Sequence, residues 1–194
     1  MKSLEILKKE HGLIRHALDI YSLAKEELEI GERPPKEFFE KAIEFSRTFA
    51  DRFHHFKEEY LMFGLLAEKK EGLYDGEIGA LRYQHERGRK FMDGIENSLA
   101  GYSQRDTIAT TLLLENLASY ISLLKLHIYI EDHIFFRMVE KELSEDEDRM
   151  LLEQFKHEEK RLGTADFFEN SRKLVHEISS MIENGTSKNK LLGI

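Results

Sequence analysis

The sequence of 194 residues contains no cysteine. This absence excludes disulfides, thiolate metal ligands, cysteine-ligated iron–sulfur clusters and thiol nucleophiles. If the protein binds a metal ion, the ligand atoms must therefore be nitrogen and oxygen.

Proline and long apolar runs are also scarce. Two prolines, 41% hydrophobic residues and 34% charged residues are typical of a folded chain built from long amphipathic helices. No apolar run approaches the roughly 20 residues that a membrane-spanning helix needs, so we expect no membrane partner. The amino-terminal sequence MKSLEILKKEHG is amphipathic rather than signal-like, which predicts a cytoplasmic location.

Basic residues are fewer than acidic residues. The chain carries 37 Asp and Glu against 29 Lys and Arg, which gives a net charge of −8. Such a surface repels phosphate backbones and anionic lipid head groups. We therefore expect no nucleic-acid partner.

Apolar residues recur at alternating steps of three and four along most of the chain, which predicts an all-α fold. Glycine, proline and polar turn residues separate six helices. Ser103 with Asp106, and Ser144 with Glu147, have the spacing of capped helix starts. We predict helices at about residues 3–30, 35–69, 77–99 and 103–143, a short one after Ser144, and a sixth beginning at Gly163-Thr164.

The connections between the four long helices are short, which predicts that neighbouring helices are antiparallel. Residues 1–143 should therefore form an up-down-up-down four-helix bundle. Residues 144–184 should form two accessory C-terminal helices packed on this bundle. Residues 185–194 are polar and predict a flexible tail.

Histidines interrupt the apolar stripes of these helices. His11 fills a stripe position on the first helix, and His85, followed by Gly88, does so on the third. The stripe of the fourth helix is regular only if His127 and Glu131 are counted as members. Its apolar members are Leu113, Leu117, Tyr120, Leu124, Ile134 and Met138.

Two segments share the pattern H-x-x-x-E-[ED]-x-[LI]-x-F, one beginning at His54 and one at His127. A histidine and a glutamate four residues apart lie on the same face of a helix, so each segment can direct both side chains at one ion. The pairs are His54 with Glu58 and His127 with Glu131.

His54 and its neighbour His55 fall on different faces of a regular helix. His54 and Glu58 continue an apolar stripe whose other members are Phe39, Ile43, Ala50, Leu61 and Leu65. His55 falls among polar residues, including Asp51 and Glu59. We predict that His54 points inward and that His55 is solvated or supports a ligand from behind.

Six chemically active side chains then point inward from four helices: His11, His54, Glu58, His85, His127 and Glu131. A single inward histidine is more often a satisfied core residue than a ligand. Burying the whole set without partners would cost several kcal/mol for each charged group, against a total stability of about 5–15 kcal/mol. A bound cation would offset that cost, so the set predicts a metal site.

These segments resemble the hemerythrin or HHE cation-binding family over roughly residues 5–140. The matching motifs are EH on the first helix, HHFKEEYLMF on the second, YQHERGR on the third and HIYIEDHIFF on the fourth. The resemblance implies a four-helix bundle with two non-haem iron ions bridged by carboxylates and an oxygen atom. It also implies that the six inward residues named above are the ligands. Imidazole and carboxylate accept zinc and manganese as well.

The sequence departs from oxygen-carrying hemerythrins at two positions. Those proteins have a second histidine one turn before His85, where this chain has Leu81, which predicts one fewer protein ligand and an open coordination position. They also use an aspartate five residues after the histidine of the fourth helix, which would be Asp132. The regular stripe favours Glu131, with Asp132 as the alternative.

The remaining histidines are interpreted as surface, supporting or helix-packing residues: His16, His133, His157 and His176. Among them His157, followed by two glutamates, is the first candidate for an additional ligand. Three functions remain open. The first is a di-iron protein that binds dioxygen or nitric oxide for sensing, storage or detoxification. The second is a di-iron redox enzyme or iron-repair protein. The third is a metal-stabilised interaction module whose protein partner is unknown.

Overall fold

The computed structural model describes residues 1–69, 72–161 and 166–192, with side chains up to Glu183. The chain is all-helical, with six helices and no strand within these ranges. We number them α1 (Lys2–Glu29), α2 (residues 36–69), α3 (Asp75–Ser103), α4 (Thr107–Glu142), α5 (Glu145–Arg161) and α6 (Phe167–Leu192). The all-α prediction and the order of the six helices are confirmed.

Two of these helices contain π-helical segments, in which the turn is wider than in an α-helix. In α2 the segments are Ser46–His55 and Lys57–Met62, between α-helical Lys36–Phe45 and Phe63–Lys69. In α4 the segment is Glu131–Phe135, between Thr107–Ile130 and Phe136–Glu142. All three segments carry or adjoin the predicted metal-binding residues.

The helix ends follow the predicted capping signals with one exception. The Asp106 carboxylate accepts a hydrogen bond from the backbone N–H of Ala109 at 2.7 Å and caps α4. Ser103 is instead the last residue of α3, and its hydroxyl donates to the Leu99 carbonyl. Ser144 and Glu147 form the predicted capping box, since the backbone N–H of Ser144 donates to Glu147 Oε2 at 2.7 Å.

The C-terminal helix differs from its predicted bounds. The predicted start at Gly163-Thr164 lies outside the described residues, and α6 is described from Phe167. The helix continues past residue 184 to Leu192, where the sequence predicted that it would already have ended. The flexible tail of residues 185–194 stays a prediction.

The apolar core is divided into two clusters. One cluster is formed by α1 to α4 together with Val175, Ile178 and Ile182 of α6. The other is formed by the opposite ends of the same four helices together with Leu151 and Phe155 of α5. The predicted inward stripes of α1 and α3 are buried throughout. The accessory helices therefore complete both clusters of the core.

The predicted stripes of α2 and α4 fail within and after the π-helical segments Lys57–Met62 and Glu131–Phe135. Ile134 is 62% exposed, while its neighbour Phe135 is buried. Leu61 and Leu65 are only half-buried, while Met62 and Leu66 are buried. A wider turn shifts every later side chain around the helix axis. A wheel drawn for an unbroken α-helix therefore assigns the wrong face to Leu61, Leu65 and Ile134.

Helix α4 is long and apolar enough, by length and composition alone, to cross a membrane. This differs from the expectation that no stretch of the chain approaches that criterion. Only 28% of its most apolar window is buried, and Ile108, Leu112 and Tyr129 are exposed. A single helix of this kind is a weak indication, because core helices of soluble proteins meet the same criterion.

Candidate metal centre

The predicted metal-binding residues meet in one buried layer between the two apolar clusters. All six predicted side chains lie there, each at most 1% exposed: His11, His54, Glu58, His85, His127 and Glu131. They come from α1, α2, α3 and α4, so no single helix could assemble the layer. The inward orientation that the sequence predicted for these side chains is therefore found, and their role as metal ligands stays a prediction.

Two groups of candidate ligands share one residue. His55, Glu58, His85 and His127 form the first group, and His11, His54, Glu58 and Glu131 form the second. Within each group one ligand atom from every residue lies within 4.8 Å of the others. Glu58 belongs to both groups, which is the arrangement needed to bridge two ions.

The two glutamates stand between the groups. Glu58 Oε1 lies 3.4 Å from His54 Nε2, and its Oε2 lies 3.6 Å from His85 Nε2. Glu131 Oε2 lies 3.2 Å from His11 Nε2 and 3.1 Å from His127 Nε2. Each carboxylate therefore faces histidines of both groups.

The position of His55 differs from the solvated one that the sequence predicted. It is 5% exposed rather than solvated, and its ring stacks on that of His85 with centroids 3.7 Å apart. The π-helical segment Ser46–His55 places fewer degrees of rotation between consecutive residues, so His54 and His55 both face the interior. The face shared with Asp51 and Glu59 is packed against Arg89 of α3, and Asp51 stays partly exposed.

Every buried histidine is held through its Nδ1 atom. His11 donates to Asp132 at 2.8 Å, and His54 donates to Glu10 at 2.9 Å. The other three Nδ1 partners are Asp51 for His55 at 3.4 Å, Glu59 for His85 at 2.6 Å and Gln84 for His127 at 2.8 Å. A ring that donates through Nδ1 keeps the Nε2 lone pair free, which is how metal-binding histidines are oriented.

The free atoms are directed at one another and lack hydrogen-bond partners. They include Nε2 of His11, His54 and His55, and both carboxylate oxygens of Glu58 and Glu131. Nε2 of His85 and Nε2 of His127 face each other at 2.9 Å, although both rings donate through Nδ1. Buried lone pairs at such distances repel unless a cation lies among them. The donor set therefore fits a pair of cations bound by nitrogen and oxygen.

The pKa shifts of the buried side chains in this layer fit the binding of a cation. Burial and the Glu131 charge raise the pKa of Glu58 well above its ordinary value. Burial also raises the pKa of Glu131, but His127 and His11 outweigh it and hold that pKa below its ordinary value. Burial lowers the pKa of His54 and of His85 well below the usual range, so these rings stay neutral and able to ligate.

Asp132 is not one of the grouped ligands. Its Oδ1 accepts from His11, and its Oδ2 accepts from Arg15 at 2.6 Å. His11 and Arg15 outweigh the effect of burial and lower the pKa of Asp132, so its carboxylate stays charged behind His11. The geometry therefore places Glu131 toward the centre and Asp132 behind it.

Several supporting residues were not found from the sequence. Glu10 joins His54 to Lys57. The Lys57 side chain is fully buried and donates to Glu10 at 2.5 Å and to Glu159 of α5 at 3.0 Å. Its ammonium group also lies over the Phe53 ring. Burial raises the pKa of Glu10 to about 7, although Lys57 opposes the shift. The sequence analysis assigned no role to Glu10 or Lys57, and only the position of Glu10 beside His11 could have indicated one.

The other histidines lie outside the centre. His16, His133, His157 and His176 are exposed, and the side chain of His157 is 77% exposed. Leu81, the residue expected to leave a coordination position open, is buried in the apolar cluster beside the centre. His85 is the one α3 residue in either group, but His55 adds a ring that the sequence analysis did not count.

Comparison with known proteins identifies a cation-binding family. The family model described as Hemerythrin HHE cation binding domain matches residues 2–139. An uncharacterized protein of Mycobacterium bovis and uncharacterized proteins of two Mycobacterium tuberculosis strains are each 29% identical over 164 residues. The match covers 84% of this chain and 64% of each relative, so the chain spans less than two thirds of their length. No solved structure matches.

Proposed function

The chain belongs to the hemerythrin HHE cation-binding family, and on that premise we propose that it is a cytoplasmic non-haem di-iron protein that binds dioxygen or nitric oxide. Its role would be sensing, storage or detoxification. The observation that carries the proposal is the pair of buried ligand groups joined by Glu58. An iron pair, when bound, supplies reversible exchange of electrons with a small diatomic ligand.

The protein's own residues would have three tasks in this function. His55, His85 and His127 would hold one ion, and His11 and His54 the other, with Glu58 and Glu131 between them. The Nδ1 partners would keep each ring in one orientation and raise its basicity. The two glutamates, buried and lacking other partners, would offset part of the charge of the ions.

The arrangement of the first four helices belongs to the same proposal. The amino-terminal end of α1 contributes Leu4 to the apolar cluster that contains Met62 of late α2 and Ile78 of early α3. Val139 of late α4 lies in that cluster too, while the other ends of these helices meet in the second cluster. This alternation of ends supports an up-down-up-down four-helix bundle. We propose no nucleic-acid or membrane partner, because the net charge is −8 and α4 carries His127 and Glu131 into the protein interior.

Metal analysis of protein produced in iron-replete cells tests the proposal. We expect about two iron ions per chain, together with an optical spectrum that changes on exposure to air and on addition of azide or nitric oxide. Zinc or manganese in place of iron would reject the di-iron assignment. A spectrum indifferent to all of these ligands would indicate a structural metal site, and sustained turnover with an added reductant would indicate a redox enzyme.

A further inference from the structure

A cation lies behind each carboxylate that accepts a hydrogen bond from a buried histidine. These cations are Arg15 behind Asp132, Arg89 behind Asp51 and Glu59, and Lys57 behind Glu10. The side chains of Arg15 and Arg89 are 46% and 35% exposed, whereas that of Lys57 is fully buried. Lysine is almost never fully buried unless it is paired, because removing its charge from water is costly. The contacts of Lys57 therefore need an explanation of their own.

The Lys57 ammonium group lies among two carboxylates and two aromatic rings. It donates to Glu10 Oε1 at 2.5 Å and to Glu159 Oε1 at 3.0 Å. It also lies 3.6 Å from the centroid of the Phe53 ring and 5.5 Å from that of Phe155. The rings keep water away, which strengthens both charge contacts. Contacts from α1, α2 and α5 thus fix the position of this group.

Glu10 divides its two oxygens between Lys57 and His54. Its Oε1 accepts from Lys57, and its Oε2 accepts from His54 Nδ1 at 2.9 Å. The last torsion of a glutamate side chain has broad preferences, so a carboxylate bound at one oxygen can still turn. A carboxylate bound at both oxygens cannot. Lys57 therefore holds the oxygen that orients the His54 ring.

This series of contacts ends at one ligand group only. His54 belongs to the second group, and its Nε2 faces Glu58 Oε1 at 3.4 Å. The three histidines of the first group have other Nδ1 partners, namely Asp51, Glu59 and Gln84. A change at Lys57 should therefore be felt at the ion of the second group.

We propose that Lys57 is a positioning residue for the ion of the second group, and that Glu159 makes α5 part of the support of that ion. Lys57 acts through the Glu10 carboxylate on the His54 ring. The proposal rests on the metal-binding part of the proposed function. It adds that a C-terminal accessory helix contributes to the affinity for one ion of the pair.

Titration of the full-length protein with Zn²⁺ against a competing chelator tests the proposal, because imidazole and carboxylate accept zinc. Lys57→Met keeps a long side chain and removes its charge. It should weaken one of the two ions about tenfold, the lower end of the effect of losing the support behind a histidine ligand. The other ion should keep its natural affinity. Natural affinities for both ions, or an equal loss at both, would overturn the proposal.

Arg89→Met is the matched control, because Arg89 is the cation behind the first group. Its guanidinium donates to the carboxylates that accept from His55 and His85. This variant should weaken the other ion, so the double variant with Lys57→Met should weaken each ion about tenfold. A loss of about a hundredfold at one ion, with the other unchanged, would place both cations behind the same ion and contradict the assignment.

Replacement of Glu10 tests whether Lys57 acts through this carboxylate. In a Glu10→Gln background, Lys57→Met should cause at most about a twofold further loss of affinity, because the series of contacts is already broken. This double variant removes both buried charges together, so it keeps the test available if Lys57→Met alone does not fold. A full tenfold further loss would mean that Lys57 acts by another route, which rejects the positioning role.

Glu159→Ala tests the contribution of α5. It should weaken the same ion as Lys57→Met, but only about threefold, because Glu159 is 39% exposed and its contact is screened by water. Glu153→Ala, on the same helix and 73% exposed, should change neither affinity. Natural affinities in the Glu159 variant would remove α5 from the support of the ion.

The natural protein separates failure of this inference from failure of the proposed function. A natural protein that binds no Zn²⁺ would reject the metal centre itself, and this inference with it. Two ions bound with natural affinities in both Lys57 variants would reject this inference alone.

Discussion

Glu58 occupies the central position of the buried layer. Its two oxygens face different histidines, one toward His54 and the other toward His85, and neither has a hydrogen-bond partner. A buried carboxylate without partners would take up a proton, as the raised pKa of Glu58 indicates. One cation on each of its two oxygens would remove the tendency of Glu58 to take up a proton. Glu58 is therefore the residue whose charged form depends most on a second ion.

Replacement of His55 tests whether five histidines or four hold the metal. We expect His55→Ala to lower the metal content from about two ions to about one per chain, because the first group loses one of its three nitrogen donors. Helix content should stay near that of the natural protein. Metal analysis and circular dichroism measure these two quantities.

The matched control for this variant is His157→Ala, which removes a histidine that is 77% exposed. It should retain both ions. Two ions in the His55 variant would mean that the ring supports its neighbours by stacking on His85 and does not bind metal.

Glu131 and Asp132 should have separable roles. Glu131→Gln should reduce metal content to about one ion per chain or less, because its carboxylate faces histidines of both groups. Asp132→Asn should keep both ions but bind them about 10–100-fold more weakly, because it weakens the support behind His11. Titration with a competing chelator measures both affinities, and the opposite ranking would make Asp132 the ligand.

At the scale of the helices, the π-helical segments decide what the centre contains. The two segments of α2 bring His54, His55 and Glu58 into one layer, and the segment of α4 begins at Glu131. Such segments are rare and are found mostly at functional sites. Here the wider turn reduces the rotation between consecutive residues, so that His54 and His55 both reach the buried layer.

The start of α5 is fixed by a charge contact that predicts a pH dependence. Lys69 donates to Glu147 Oε2 at 2.6 Å, and this contact together with the Ser144 hydrogen bonds lowers the pKa of Glu147 to about 2. Because the folded pKa lies below the ordinary value of 4.5, the contact stabilises the fold above about pH 4.5. That contribution is lost as pH falls through 2.

The variant Glu147→Gln should therefore unfold more easily at pH 7, by less than about 1 kcal/mol since the contact is near the surface. The difference in the free energy of unfolding should shrink as pH falls from 4.5 toward 2. Urea titrations at several pH values measure it. Glu145→Gln, an exposed residue of the same turn, is the charge-matched control, and an equal effect there would assign the stabilisation to the helix dipole rather than to the contact.

At the scale of the molecule, a polar layer separates two apolar clusters, and each cluster is completed by one accessory helix. The buried Lys57 connects α5 to this layer, since it bonds both Glu159 and the Glu10 that supports His54. The accessory helices are therefore part of the same folded unit as the metal centre. Their removal would expose the partners of Phe155 and Ile178, which are fully buried.

Removal of metal should loosen this whole unit. At a thousandfold excess over Kd, one bound ion stabilises the folded state by about 4 kcal/mol, and in a chain of this size each kcal/mol shifts Tm by about 2–4 °C. Chelated protein should therefore melt about 8–16 °C below loaded protein for each ion that is lost at that excess. Thermal unfolding followed by circular dichroism measures the shift, and equal Tm values would contradict a centre that supports the fold.

The sequence by itself determined the helices and six of the seven grouped residues, because both depend on local periodicity. The stripes containing His11 and His85 follow a regular α-helix, and the predicted faces are the buried ones. The choice of Glu131 over Asp132 came from the same periodicity. Composition alone excluded thiolate ligands, because the chain contains no cysteine.

Only the tertiary structure decided which residues complete the centre. His55 turns inward because α2 widens into π-helix where four helices converge, a change that a pattern along one helix does not reveal. The partners that orient the rings mostly come from other helices, as Glu10 does for His54 and Glu59 for His85. Burial and charge in this layer are properties of the packed chain, so they are defined only once all four helices are in place.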